Sequence, residues 1–192
     1  MTDAEKFVNG LLANMVTRRQ GKIAEILIQA EELFDDPDSI HHDLMDNVAD
    51  DRIEVKCSKV QAGHEETITS ENFIRHCMEH DPANRPVNYD EREDKKWDCN
   101  IQQIKRTEFE KLFYVLFFKD RVCVFCIGPD EIAEDKKIGY CPTQHGGGEK
   151  EIEEGQFHVK NININHHIEN YLHKEFSYEE FMQIFKKPEA DI

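Results

Sequence analysis

The chain has 192 residues, a formal net charge of −16 and 39% hydrophobic residues. That length can bury a real core and suits one domain, taken as residues 1–192. A mean hydropathy of −0.71 with no long apolar run excludes a membrane-spanning helix, and the acidic balance lacks the overall basic footprint usual in nucleic-acid binders.

The excess acid falls in blocks, Glu31 to Asp38, Asp90 to Asp98 and Glu149 to Glu154, which read as solvated loops. Arg18, Arg19, Lys22, Lys56, Lys59, Lys105, Arg106 and Lys160 lie outside those blocks, so one face can still be basic. The N-terminus shows no basic-then-apolar secretory pattern. The six cysteines are scattered, several of them in apolar strand-like runs. Reduced thiols and a cytoplasmic setting are therefore expected.

Asp3 to Phe34 reads as helix, with Phe7, Leu11, Met15, Ile23, Ile26, Leu27 and Ala30 at helical spacing, Gly21 as a break or a close approach, and Pro37 as the end. Glu25 falls on the polar side of the second half. Asp51 to Val60 alternates: Ile53, Val55 and Cys57 face one way, and Arg52, Glu54, Lys56 and Ser58 the other. Asn47 to Asp50 is turn chemistry. A hairpin closed there pairs Asp46 with Asp51 and Leu44 with Ile53, and sets Asp43 opposite Glu54. Asp43, Glu54 and Lys56 then converge. Other acid-x-Lys triplets, such as Glu93/Lys95 and Glu134/Lys136, sit in charged, loop-like runs.

Ser70 to Glu79 is helix-like, with Ser70 as N-cap and Phe73, Ile74 and Cys77 on one side. A long polar loop is expected from Asp81 to about Asn100, with Trp97 buried. Ile101 to Arg106 follows as a Gln-rich strand, and Thr107 to Glu110 as a short helix start. The most apolar runs, Leu112 to Phe118 and Arg121 to Gly128, fit strands buried on both faces at the centre of a sheet. Gly155 to Asn165 alternates and reads as a strand exposing Gln, His, Lys and Asn. Ser177-Tyr178-Glu179-Glu180 is a capping box opening a last helix, to Lys187.

An Asp, an intervening hairpin and the run Ile53-Glu54-Val55-Lys56-Cys57-Ser58 resemble the signature of the PD-(D/E)xK nucleases, type II restriction endonucleases in particular. The resemblance covers the first third of the chain, and more weakly the Gln-rich strand leading into a Phe-rich core. It implies an α/β fold with a restriction-endonuclease-like mixed β-sheet flanked by helices. It also implies Mg²⁺-dependent, sequence-specific hydrolysis of double-stranded DNA by a homodimer. Asp43 and Glu54, joined by the Val55 carbonyl, match the metal ligands. Lys56 matches the catalytic lysine, and Glu25 the acidic residue on the preceding helix. The literal Pro-Asp pair is Pro37-Asp38, but Asp38 opposite Glu54 would run strand pairing through the turn residues, so Asp43 is preferred. DNA contacts are expected from Arg19, Lys22, Lys59, Gln103, Lys105, Gln144, His145, Gln156, His158, Lys160 and Asn161.

Two rival readings differ in class. One is a non-catalytic nucleic-acid or protein interaction module with a decayed nuclease site. The other is a zinc-stabilised regulatory protein, because Cys123, Cys126, Cys141 and His145 have zinc-ligand spacing. Against zinc, residues three apart on a strand face opposite ways. His41-His42 and His166-His167 read as ordinary surface histidines.

Overall fold

The computed structural model describes residues 2–37, 39–63, 66–79, 84–143 and 154–185. Helix α1 (Asp3–Asn9) opens on a capping box in which Thr2 and Glu5 exchange side-chain and main-chain bonds. It runs into a π turn at Gly10–Asn14. Extended backbone at Met15 and Val16 then breaks the helix before α2 (Thr17–Glu32), which ends on Leu33 in the left-handed region. The long helix expected from the periodicity is thus two helices, broken at Met15 rather than Gly21. The break lets both segments press apolar side chains on one sheet. The carbonyls it frees are met elsewhere: Lys59 Nζ donates to the Leu12 and Met15 oxygens at 3.1 and 3.4 Å, and Gln20 Nε2 to Leu11 O at 2.5 Å.

Strands β1 (Leu44–Asp46) and β2 (Asp51–Lys59) form the hairpin with Leu44 opposite Ile53 and Asp46 opposite Asp51, the register read from the turn. Next come α3 (Phe73–Glu79), a 3₁₀ turn at Tyr89–Glu91, β3 (Asp98–Ile104), β4 (Lys111–Phe117), β5 (Arg121–Ile127), α4 (Pro129–Glu134), β6 (Gly155–Lys160), α5 (Ile164–Tyr171), β7 (Leu172–Ser177) and α6 (Tyr178–Ile184). A five-stranded sheet has the order β1-β2-β4-β5-β7, mixed because β2 and β4 are parallel and the other pairs antiparallel. A second, two-stranded sheet pairs β3 with β6. The architecture is α/β, with helices flanking the sheets. No helix among the described residues is long and apolar enough to cross a membrane.

Each face of the large sheet carries its own core. Ile53, Val55, Phe113, Val115 and Val124 pack against α1, the π turn, α2 and α6 through Phe7, Leu11, Leu27, Ile28 and Phe181. Leu112, Tyr114, Leu116 and Phe125 pack against the small sheet and its neighbours through Trp97, Ile101, Phe157 and Val159. β4 and β5 are central and almost wholly buried, as continuous apolar runs require. The Arg52 guanidinium and main-chain N–H both reach the Glu110 carboxylate, tying the start of β2 to the approach to β4.

Several local expectations are corrected. α3 begins at Phe73, after a Thr69–Asn72 turn, so Ser70 is not its N-cap. Phe73, Ile74 and Cys77, the side expected to be apolar, are all exposed. Residues 107–110 form turns and bends, not a helix start. β6 stops at Lys160, and Ile164 already belongs to α5. Neither histidine pair is a surface pair: His42 is buried, and His167 is fully buried with its Nδ1 2.8 Å from the Tyr114 hydroxyl. The capping box at Ser177 and the burial of Trp97 agree with the sequence.

Candidate active site

Side chains on β2 alternate between the two cores. Val55 points to the helical side, and Glu54 and Lys56 to the side of the small sheet. β1 begins at Leu44 on the open edge of β2, and Asp43 extends its line backwards: Asp43 N–H donates to Ile53 O at 2.9 Å. The Asp43 carboxylate then accepts from Val55 N–H at 2.8 Å. In an extended strand the N–H and C=O of one residue leave by the same edge, so the Val55 carbonyl shares the edge on which Asp43 lies. Lys56 Nζ contacts the Glu54 carboxylate directly.

These groups open into a polar cleft of about 230 Å³ walled by Ile40, His41, His42, Asp43, Glu54, Lys56, Gln103, Lys105, Glu108 and Glu154. The hairpin supplies one wall. The end of β3 and the turn after it supply the other, with Lys105 Nζ 3.4 Å from Glu108 and His41 Nδ1 3.8 Å from the same carboxylate. Among the described residues the lining holds four carboxylates and two ammonium groups. Burial raises the Glu54 pKa from its ordinary value; Lys56 opposes the shift, and the charges of Asp43 and Glu108 add to it. The site therefore concentrates negative charge that nearby lysines only partly balance. Hard oxygen donors in excess, with adjacent main-chain carbonyl, are a donor set that fits a divalent cation such as Mg²⁺. Among the described residues no three His, Cys, Asp or Glu side chains gather closely enough to hold a metal by themselves, so a cation here would need main-chain oxygen and water as well.

The other sequence-named residues are spread more widely. Glu25 lies on α2, ion-paired with Lys22 at 2.8 Å, and does not line the cleft. Its charge adds to burial in raising the Cys57 thiol to about 11, which places it on the helical side of β2. Lys22 feels Asp43 as well as Glu25. Arg19 borders a shallow depression with Gly10, Asn14, Met15 and Val16. Lys59 is committed to the Leu12 and Met15 carbonyls. Gln103 and Lys105 do line the cleft. On the outer face of the small sheet, Gln156 bonds Asn100, while His158 and Lys160 both reach Asp98, at 2.6 and 3.2 Å. Asn161 donates to Glu93 O at 3.3 Å. Gln144, His145 and the alternative ligand Asp38 lie outside the described residues.

All six cysteines are free thiols. Cys123 packs into the small-sheet core and Cys126 against the helical core, so the two point to opposite faces of β5. Burial raises the thiol of Cys126 to about 11 and that of Cys123 further. They do not converge on one metal.

Sequence reasoning missed Glu108 and Glu154. Glu108 was read into a helix start and Glu154 into a solvated acidic block, and only long-range pairing brings either beside β2. In comparisons with protein-family models, curated proteins and solved structures, nothing matches this chain.

Proposed function

We propose that the chain is a Mg²⁺-dependent DNA endonuclease of the PD-(D/E)xK type, resembling type II restriction enzymes and acting on duplex DNA as a homodimer. One observation carries the reading: Asp43, Glu54 and Lys56, named from a short motif, line a single cleft, with Asp43 bonded to the main chain between the other two. The fold class, a mixed sheet between helices, is compatible with that family.

When bound, Mg²⁺ would draw charge from a phosphoryl oxygen and acidify a neighbouring water. Asp43, Glu54 and the Val55 carbonyl would hold it. Lys56 orients the attacking water and stabilises the negative charge that develops on phosphorus oxygens. The water oxygen forms a P–O bond as one ester P–O bond breaks. The water's proton passes to solvent, and the leaving oxygen takes one up. The overall charge of −16 opposes a polyanionic substrate; Lys56 and Lys105 in the cleft, together with the cation, are the local counterweight.

The test is digestion of supercoiled plasmid by purified protein with Mg²⁺, with and without chelator, beside Lys56→Ala. Discrete, chelator-sensitive fragments absent from the variant support a site-specific nuclease. Plasmid left intact over a range of Mg²⁺ and salt concentrations refutes the activity and leaves an interaction module.

A further inference from the structure

Gln103 has a φ of 57°, in the left-handed region that an ordinary side chain occupies only at a cost. It sits at a bulge: Gln102 pairs with Gln156 and Ile104 with Gly155, so Gln103 has no partner across the small sheet. The bulge is braced. A Cβ on Gly155 would overlap the Tyr140 hydroxyl, so only glycine lets Tyr140 cover this point, where that hydroxyl donates to Ile104 O at 3.5 Å. Strain that persists in a braced position at the rim of a polar cleft points to use of the side chain.

Packing accounts for the bulge but not for the residue. Ile101 and Ile104 are both buried, which strict alternation forbids and one extra residue permits. Glycine would fill the extra position without strain, and asparagine with less. A glutamine is there instead, and it lines the cleft with Glu54 and Lys56. Its carboxamide is neutral and carries both a donor and an acceptor. Lys56 and Lys105 already offer charge to phosphate, so the amide suits a base edge.

We propose that Gln103 is a specificity-determining residue, strained into the cleft rim so that its amide hydrogen-bonds a base next to the scissile phosphate. This rests on the nuclease reading. The bulge sets the residue at the cleft rim before substrate arrives, and the side-chain torsions are ordered on binding.

The experiment compares wild type, Gln103→Gly and the neighbouring control Gln102→Ala for melting temperature and for cleavage rate at the preferred site and at sites altered by one base. Gln103→Gly should melt about 1–3 °C higher, because glycine relieves the strain. It should cut the preferred site at least about tenfold more slowly and discriminate less against altered sites. Gln102→Ala should cut like wild type. Wild-type rate and selectivity in Gln103→Gly overturn the proposal and leave the bulge as a packing device. A lowered melting temperature also overturns it, because the strain argument then fails. A wild-type protein that cuts no DNA sinks the nuclease reading itself, which is distinct from a cutting enzyme indifferent to Gln103.

Discussion

Replacing Asp43 by alanine and by asparagine separates two roles of one carboxylate. Its oxygen accepts from Val55 N–H at 2.8 Å, beside a valine that is 6% exposed. A hydrogen bond to a charged acceptor is worth about 1.5–3 kcal/mol, and a partly buried N–H left without a partner costs a comparable amount. Asp43→Ala should therefore lose about 2 kcal/mol, which for a chain of this size lowers the melting temperature by roughly 4–8 °C. Asparagine keeps an acceptor oxygen and removes a charge that now raises the Glu54 pKa, so the weaker bond is offset by less repulsion. Asp43→Asn should melt within about 3 °C of wild type, a difference near 1 kcal/mol. Both variants should be inactive, since neither offers a carboxylate to the cation. Differential scanning fluorimetry and plasmid cleavage on the same preparations decide it. If Asp43→Ala is as stable as wild type, the carboxylate does not support Val55. If Asp43→Asn cuts normally, Asp43 is no ligand and attention moves to Asp38.

Three further outcomes are expected. Lys56→Ala should keep Mg²⁺-dependent DNA binding while single-turnover cleavage falls by at least about a hundredfold, the scale of losing one charge-stabilising donor; Lys56→Arg should be nearly as poor, because a planar guanidinium does not replace a compact ammonium. For Glu54 the folded pKa is raised, so the native state binds more protons than the unfolded state and stability falls as pH rises through the carboxylate range. Glu54→Gln should accordingly gain stability at neutral pH, a gain that vanishes below the ordinary carboxylate pKa; an equal gain at all pH values would contradict this. Burial lowers His167 from 6.5 to about 4, aided by His166, so stability present above pH 6.5 is lost as pH falls toward 4. The loss should approach about 3 kcal/mol, and the same titration on His167→Gln should lack it.

The hairpin was legible because two independent signals agreed. The Asn47–Asp50 turn set the register, and alternation through Ile53, Val55 and Cys57 set the faces. One slip would have reversed every side chain. β4 and β5 were legible because long continuous apolar runs leave few other choices. The break at Met15 was not, because Leu11 and Met15 keep a helical spacing of four in sequence and Gly21 was the more obvious interruption. The cleft's second wall was hidden for another reason. Gln103, Lys105, Glu108 and Glu154 are polar in sequence, and only the pairing of β3 with β6 over the sheet face brings them to Glu54. Lys59 looked like a free surface cation; its partners are main-chain carbonyls, which have no sequence signature.

The Arg52–Glu110 pair joins residues 58 positions apart, whereas Asp43 and Val55 are separated by 12. Closing a long loop costs entropy that later contacts must repay, while a short hairpin closes in microseconds. The proposed metal ligands and Lys56 thus lie on a local hairpin that closes only a short loop. Gln103, Lys105 and Glu108 reach them only when the distant strands have paired. The groups proposed for chemistry and those proposed for recognition come from different parts of the chain. Substitution of Gln103 leaves the Asp43–Val55 bond untouched, so the proposed substrate choice has room to drift there, whereas Glu108, whose charge reaches Glu54, is less free to change.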